Sequence, residues 1–157
     1  MSVSPIPTGF HSVTPYLVVR GAAKAIEFYK TAFGATEVMR LEMQPGVIGH
    51  AEILIGNSHV MLSEEFPDMG FRSPETLGGT PVSLMIYVTD ADELFDRALM
   101  AGATLLRPMV DQFYGDRSGM LADPFGHTWN IATHIEDVTP EEMSQRMAEF
   151  MKSNPLE

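Results

Sequence analysis

The chain has 157 residues, no cysteine and a formal net charge of -11 at pH 7, a size that suits one compact domain over residues 1–157. The missing cysteine excludes disulfide frameworks, thiolate zinc sites and cysteine nucleophiles, and the acidic charge opposes binding to nucleic acid or to an anionic membrane. The first residues lack the basic and apolar regions of a signal peptide, and the longest apolar stretch, near 82–88, is far too short to span a bilayer. We therefore expect a cytoplasmic protein.

Two short stretches repeat each other at the same offset of 68 residues. Gly34-Ala35-Thr36 returns as Gly102-Ala103-Thr104, and the turn at 56–59 returns as the turn at 124–127. An apolar strand and an amphipathic helix precede each Gly-Ala-Thr segment. Repetition in register indicates one supersecondary unit used twice.

Module one, predicted over about 12–63, consists of a strand, a helix and three strands. Valine-rich alternation from Thr14 to Arg20 predicts the first strand, and apolar side chains from Ala22 to Phe33 share one helical face. Gly34 ends that helix. The three further strands are expected near 36–42, 50–55 and 59–63.

A segment rich in Pro, Gly and charge over 64–81 indicates a linker or mobile loop between the modules. Module two, over about 82–135, repeats the order, with Asp90 as the cap of its helix and Gly102 as the end. A C-terminal helix over about 140–152 begins with the capping box at 139–142. Its apolar face packs on its own sheet or on a second subunit, and contains Met143, Met147, Phe150 and Met151.

Two segments carry a family resemblance. Gly115-Asp116-Arg117-Ser118-Gly119 leads into Asp123-Pro124-Phe125-Gly126-His127-Thr128-Trp129, and the first helix contains Ala25-Ile26-Glu27-Phe28-Tyr29. With these segments and its repeated element order, the chain resembles the vicinal oxygen chelate (VOC) superfamily, within it the PhnB-like branch of glyoxalase and bleomycin-resistance proteins. The resemblance covers about residues 12–137. It implies an α+β fold whose tandem βαβββ modules form a cup-shaped sheet around a ligand pocket, in a homodimer.

The resemblance also implies where a metal would lie, since members of this superfamily often hold a divalent ion through His, Gln and Glu. The corresponding positions are Thr14, Leu62, Ser83 and Asn130. They offer two hydroxyls, one amide and no anionic ligand, which is too weak a set for a firmly held divalent ion. We expect no cofactor; the alternative is a divalent metal held by residues at shifted positions.

The implied cup positions select every second residue of each strand, because alternate side chains point to opposite faces of a sheet. The opposite positions, such as Leu17 and Trp129, are apolar and suit the helix side. Tyr114 and Asp116 precede a cup strand and either reach the ligand or are solvated beside a turn. The predicted ligand-binding residues are Thr14, Tyr16, Leu62, Ser83, Met85, Tyr87, Tyr114, Asp116, Asn130 and His134.

His50 and Glu52 are the candidate catalytic residues. Ala51, Ile53 and Ile55 suit the helix side of their strand, which leaves His50 and Glu52 on the cup side. Two strand rises separate them by roughly 7 Å, so both could act on one ligand without a direct hydrogen bond between them. The alternative is a half-exposed polar strand face without a role.

Three functions follow from these features. The first is a protein that binds a small organic molecule in a sheet-lined cup without metal. The second is a metal-dependent lyase, isomerase or dioxygenase. The third is a metal-free enzyme in which His50 and Glu52 transfer protons.

Overall fold

The computed structural model describes residues 3–156 and has the expected α+β fold, with two copies of a strand-helix-three-strand unit and a C-terminal helix. Module one comprises β1 (Tyr16–Val19), α1 (Ala22–Phe33), β2 (Thr36–Gln44), β3 (Val47–Ile55) and β4 (Ser58–Glu64). Module two comprises β5 (Ser83–Tyr87), α3 (Ala91–Ala101), β6 (Thr104–Asp111), β7 (Asp116–Ala122) and β8 (Thr128–His134). The short helix α2 (Pro74–Leu77) lies between the modules, and α4 (Pro140–Ser153) follows them.

Each module forms its own four-stranded sheet, in the order β1-β4-β3-β2 for module one and β5-β8-β7-β6 for module two. The first strand of each module runs parallel to the last, and the remaining pairs are antiparallel. The alternation of apolar residues buries one face of each sheet against the helix of its own module. We call the opposite face of each sheet its open face.

The beginning of α1 depends on a side chain from the far end of the module. Gly21 precedes the helix with a φ of 89° and provides no capping side chain. Instead, the Glu64 carboxylate accepts hydrogen bonds of 2.8 Å from the backbone N–H groups of Gly21 and Ala22. A negative charge at this end also suits the helix dipole. The contact therefore connects the end of β4 to the first turn of α1.

The modules meet through α1 and α3, which pack against each other. Tyr29 and Phe33 of α1 lie against Trp129 of β8, with ring centroids 5.5 and 4.8 Å apart. All three side chains are buried. One continuous hydrophobic core therefore extends from the first module into the second.

The segment 64–81 differs from a simple linker. Its first residue still belongs to β4, and Ser73 and Pro74 are buried at the start of α2. Glu65 accepts hydrogen bonds from the Ser73 N–H and the Thr76 hydroxyl and pairs with Arg20, contacts that lower the pKa of its carboxyl to about 2. This part of the segment is packed against module one because its polar groups find partners there.

The C-terminal helix α4 contains no buried residue. Arg146 connects it to module two through Glu136 and the Phe113 carbonyl oxygen, and Phe150 lies 5.2 Å from the Phe113 ring. Its apolar face is therefore only partly covered within one chain. No helix within residues 3–156 is long and apolar enough to cross a membrane.

Candidate functional site

The open face of sheet one brings Tyr16, His50 and Glu52 together. Register pairs both Tyr16 and Glu52 with Met61 of β4, so these side chains share one face. The Tyr16 hydroxyl lies 2.8 Å from His50 Nδ1, and His50 Nε2 lies 3.4 Å from Glu52 Oε1. The alternation therefore placed His50 and Glu52 correctly. Their expected separation of about 7 Å was wrong for the side-chain ends, which lean toward each other along the strand.

These three side chains form a polar chain with a defined order. A carboxylate only accepts hydrogen bonds, so the contact with Glu52 places a proton on His50 Nε2. In the neutral imidazole Nδ1 then accepts the proton of the Tyr16 hydroxyl. Tyr16 is 45% exposed and is the member that faces solvent most. A ligand on this face would therefore meet a phenol whose hydrogen bonding is fixed by His50.

The open face of sheet two contains a second polar cluster, formed by Tyr87, Asp116 and His134. Asp116 is only 5% exposed, and its carboxylate lies 2.7 Å from the Tyr87 hydroxyl and 2.8 Å from His134 Nδ1. His134 Nε2 contacts Asp137 at 2.8 Å. The hydrogen bonds that His134 donates to Asp137 and Asp116 raise the pKa of His134, and the hydrogen bond that Tyr87 donates to Asp116 raises the pKa of Tyr87.

The remaining predicted residues of sheet two lie nearby on the same face. Asn130 Nδ2 donates a 3.2 Å hydrogen bond to Ser83 Oγ, and Met85 pairs with Asn130 in the sheet register. The Tyr114 hydroxyl lies 3.5 Å from Ser118 Oγ. Arg117 forms ion pairs with Asp92 of α3 and with Asp111. These contacts connect α3 to the sheet of module two.

Leu62 is a correction to the predicted site. It is fully buried and pairs with Leu17 and Ala51 on the helix side of sheet one. The hairpin between β7 and β8 is one residue longer than the hairpin between β3 and β4, which changes the repeat offset from 68 to 69 residues at the last strand. The counterpart of Asn130 is therefore Met61, which lies on the open face.

The four positions at which the superfamily's metal would be held are thus Thr14, Met61, Ser83 and Asn130. Two hydroxyls, one thioether and one amide provide no anionic ligand, and the amide is already bonded to Ser83. This donor set does not fit a firmly held divalent ion. Within residues 3–156 no group of three or more His, Asp or Glu side chains is placed to hold a metal ion.

A groove with a cavity volume of about 790 Å³ lies between the modules. Thr14, Met85 and Tyr87 of the predicted site line it, whereas Tyr16, His50 and Glu52 do not. Sequence reasoning missed its other wall, the β3–β4 hairpin with Asn57 and Ser58. The only signal for that wall was the Gly56-Asn57-Ser58 turn, which by itself indicates a hairpin and nothing more.

The candidate residues thus form three groups in the described part of the chain. The cluster of sheet one and the cluster of sheet two share no hydrogen bond or ion pair across residues 3–156. His127 donates a hydrogen bond from its Nε2–H group to the Val18 carbonyl oxygen, 3.0 Å away, because a carbonyl oxygen can only accept. It therefore connects the modules.

Comparison with known proteins gives the context for this arrangement. A family model described as the Glyoxalase/Bleomycin resistance protein/Dioxygenase superfamily matches residues 9–131. An uncharacterized protein of Mycobacterium bovis is 44% identical over 140 residues, covering 87% of this chain and 92% of its own length. A second uncharacterized protein, from Mycobacterium tuberculosis, has the same identity over 82% of its length and 87% of this chain.

Solved structures show the same fold. TioX from Micromonospora sp. ML1 superposes with a TM-score of 0.63 at 25% identity, covering 82% of this chain and 100% of that one. The fosfomycin resistance protein FosX from Listeria monocytogenes, solved with Mn(II) and sulfate, gives a TM-score of 0.61 at 19% identity, covering 87% and 97%. At such identities the likeness establishes the fold alone.

Proposed function

Because the chain belongs to the glyoxalase/bleomycin resistance protein/dioxygenase superfamily, we propose that it binds a small organic molecule on its open sheet faces, without a resident metal. The observation that carries this proposal is the chain of contacts from Tyr16 through His50 to Glu52. It offers a ligand one hydroxyl and one carboxylate on an otherwise largely apolar strand face. Polar groups in such surroundings give orientation and specificity.

Charge favours a neutral or cationic ligand. The chain has a net charge of -11, and Glu52, whose side chain is 15% exposed, supplies an anionic group beside His50. A carboxylate with little solvent around it attracts a cation more strongly than one in bulk water.

We further propose that a second copy of the chain covers the open faces, as the superfamily resemblance implies. Tyr16 on sheet one and Met85 on sheet two are 45% and 46% exposed there, which is high for large side chains on the face of a sheet. Apolar surface of this kind commonly marks a subunit contact. The ligand would then lie between a sheet of one subunit and a sheet of its partner.

A metal-free acid-base enzyme is the second candidate, and the same contacts favour it. His50 is oriented through both ring nitrogens, as a proton-transfer group requires. His50 Nδ1 would take the Tyr16 proton and form an imidazolium that Glu52 stabilises, and the Tyr16 phenolate would remove a proton from a bound substrate and return it at another atom of that substrate. The imidazolium would then give its proton back to Tyr16. Turnover of a bound compound separates this enzyme from a pure binding protein.

The test is a screen of neutral and cationic fragments against ¹⁵N-labelled protein in the presence of a chelator. We expect fragments that bind to shift the backbone amide signals of His50 and Glu52. His50→Ala and Glu52→Gln should weaken their binding at least tenfold, equivalent to about 1.4 kcal/mol.

Glu42→Gln is the matched control, because Glu42 carries the same charge on an exposed part of the neighbouring strand β2. It should leave the affinities unchanged. The proposed site would be refuted if the three variants changed the affinity of the fragments equally. It would also be refuted if the fragments shifted only the amide signals of residues whose side chains face the helix.

A further inference from the structure

The groove between the modules follows the free edge of β5. This strand lies at one edge of its sheet and, within residues 3–156, pairs with β8 alone. The Val88 N–H donates to the Ala132 carbonyl oxygen of β8. Because backbone groups alternate along a strand, Ile86 also faces β8, and the N–H and C=O groups of Met85 and Tyr87 point to the free edge. The groove therefore has a wall with unpaired backbone donors and acceptors.

The groove exists because the two modules are not symmetric. At the free edge of β1 the Val18 carbonyl oxygen contacts His127, and Phe125 lies 6.1 Å from Phe28 of α1. These side chains belong to the hairpin of module two and fill that edge. When the two modules are aligned on their last strands, Gly56 and Ser58 of module one take the positions of Phe125 and His127. Two small residues thus leave open the space that module two fills with a phenyl ring and an imidazole.

Among residues 3–156, no Asp, Glu, Lys or Arg side chain lines this groove. Its apolar lining residues include Leu84, Ile86, Phe33 and Trp129, and its polar side chains are hydroxyl, amide and imidazole groups. The chain contains 31 Asp, Glu, Lys and Arg residues, so their absence from the lining selects against ionic ligands. A volume of about 790 Å³ is in the range of pockets for drug-sized molecules.

We propose that this groove is a second binding site, for an uncharged, flat and largely apolar molecule with an amide-like or carbonyl edge. The molecule lies between β5 and the β3–β4 hairpin and pairs its polar edge with the free backbone groups of Met85 and Tyr87. This site is separate from the cluster of Tyr16, His50 and Glu52, so it does not rest on the function proposed above.

The test uses Nile red, an uncharged flat dye with a carbonyl group, and follows the rise of its fluorescence on binding. We expect saturable binding to the wild type that shifts the amide signals of Met85 and Tyr87. Ser58→Phe places a ring in the groove and should weaken binding at least tenfold. Ser58→Glu, which adds a charged side chain instead of a ring, should weaken the binding of Nile red as well. Both variants should keep the wild-type circular dichroism spectrum, because Ser58 is exposed.

Ser153→Phe is the control for the added ring, because Ser153 is an exposed residue at the end of α4. It should bind Nile red like the wild type, and so should His50→Ala. The proposal is overturned if Nile red does not bind, if folded Ser58→Phe and Ser153→Phe bind it equally, or if the shifted amides are those of His50 and Glu52. It is also overturned if Ser58→Phe converts a dimer to a monomer in light scattering, since the groove would then be a subunit contact.

Discussion

The hydroxyl of Tyr29 in α1 donates a 2.6 Å hydrogen bond to Oδ2 of Asp123, 94 residues away in the hairpin before β8. Oδ2 also accepts from Trp129 Nε1, and Oδ1 accepts from the N–H groups of Phe125 and His127. Asp123 is 4% exposed. Burial, followed by the charge of Asp123, raises the pKa of Tyr29 well above its usual range. One buried carboxylate therefore organises both the hairpin and the contact between modules.

Tyr29→Phe should lower the free energy of unfolding by about 1–3 kcal/mol, because it leaves a buried acceptor with one donor fewer. Urea denaturation monitored by circular dichroism measures this loss. Tyr114→Phe is the control, since its hydroxyl is partly exposed and lies 3.5 Å from Ser118; it should change the unfolding free energy little. Equal losses in the two variants would contradict the role given to Asp123.

Gly115→Ala should be more destabilising than Gly46→Ala. Both glycines have positive φ, 101° and 80°, so each substitution costs about 1–2 kcal/mol for the backbone conformation alone. A Cβ at position 115 would also overlap the Glu136 carbonyl oxygen, whereas at position 46 it would meet nothing within 4 Å. We expect a total of roughly 3 kcal/mol or more for Gly115→Ala in urea denaturation. Equal losses would show that the chain next to α4 moves aside freely.

Stability should decrease with rising pH because of His134. Its pKa in the folded protein is raised above 6.5 by Asp137 and Asp116, so its contribution is fully present below the unfolded value and is lost as pH rises through the folded one. Tyr87, the other titratable group on Asp116, has a raised pKa and stays neutral in this window. Urea midpoints from roughly pH 6 to 8 should decline for the wild type and less steeply for His134→Gln. A decline of the same slope in both would exclude His134 as its cause.

Removing divalent metal should not affect the protein. Because Thr14, Met61, Ser83 and Asn130 provide no anionic ligand, we expect well under one equivalent of zinc, nickel, manganese or iron in protein purified without chelator. Elemental analysis measures this content, and the melting temperature should be the same with and without EDTA. Stoichiometric metal, together with a lower melting temperature in EDTA, would reverse the conclusion on the donor set.

The chain should be a dimer at micromolar concentration in light scattering. Met85→Glu places a charge on the open face of sheet two and should shift the mass toward the monomer. Met100→Glu is the matched control, because Met100 is exposed on α3 rather than on an open face, and it should remain dimeric. A dimer that resists Met85→Glu but dissociates with Met147→Glu would place the contact on α4 instead.

The repeat made most of the fold predictable from the sequence, because strand alternation and helix periodicity are local and occur twice. The same alternation placed His50 and Glu52 on the open face. Leu62 was misplaced because the offset of 68 residues was applied to the last strand, and one extra residue in the second hairpin reverses the face of every side chain in a strand. A change of one residue in the length of a turn does not alter the alternation of apolar residues within the strands on either side, so the sequence pattern does not reveal it.

Contacts between distant segments were not predictable. Nothing near Gly56 in the sequence indicates that the free edge of β5 lies beside it, since this depends on how α1 and α3 pack. The contact of His50 with Glu52 depends on side-chain rotamers, and the packing of Ser73 depends on Glu65, eight residues before it. Such contacts follow from the assembled core rather than from any local pattern.

The bond between Tyr29 and Asp123 also has a consequence for biosynthesis. A ribosome adds about 5–20 residues per second, so the 94 residues that separate the two take roughly 5–20 s to make. Throughout that delay the nascent first module displays Phe28, Tyr29 and Phe33 without the hairpin that later covers them. An incomplete chain that stops between the modules would keep this aromatic surface permanently exposed. Such fragments should bind chaperones and aggregate readily. In full-length chains the hairpin and β8 cover these aromatic side chains.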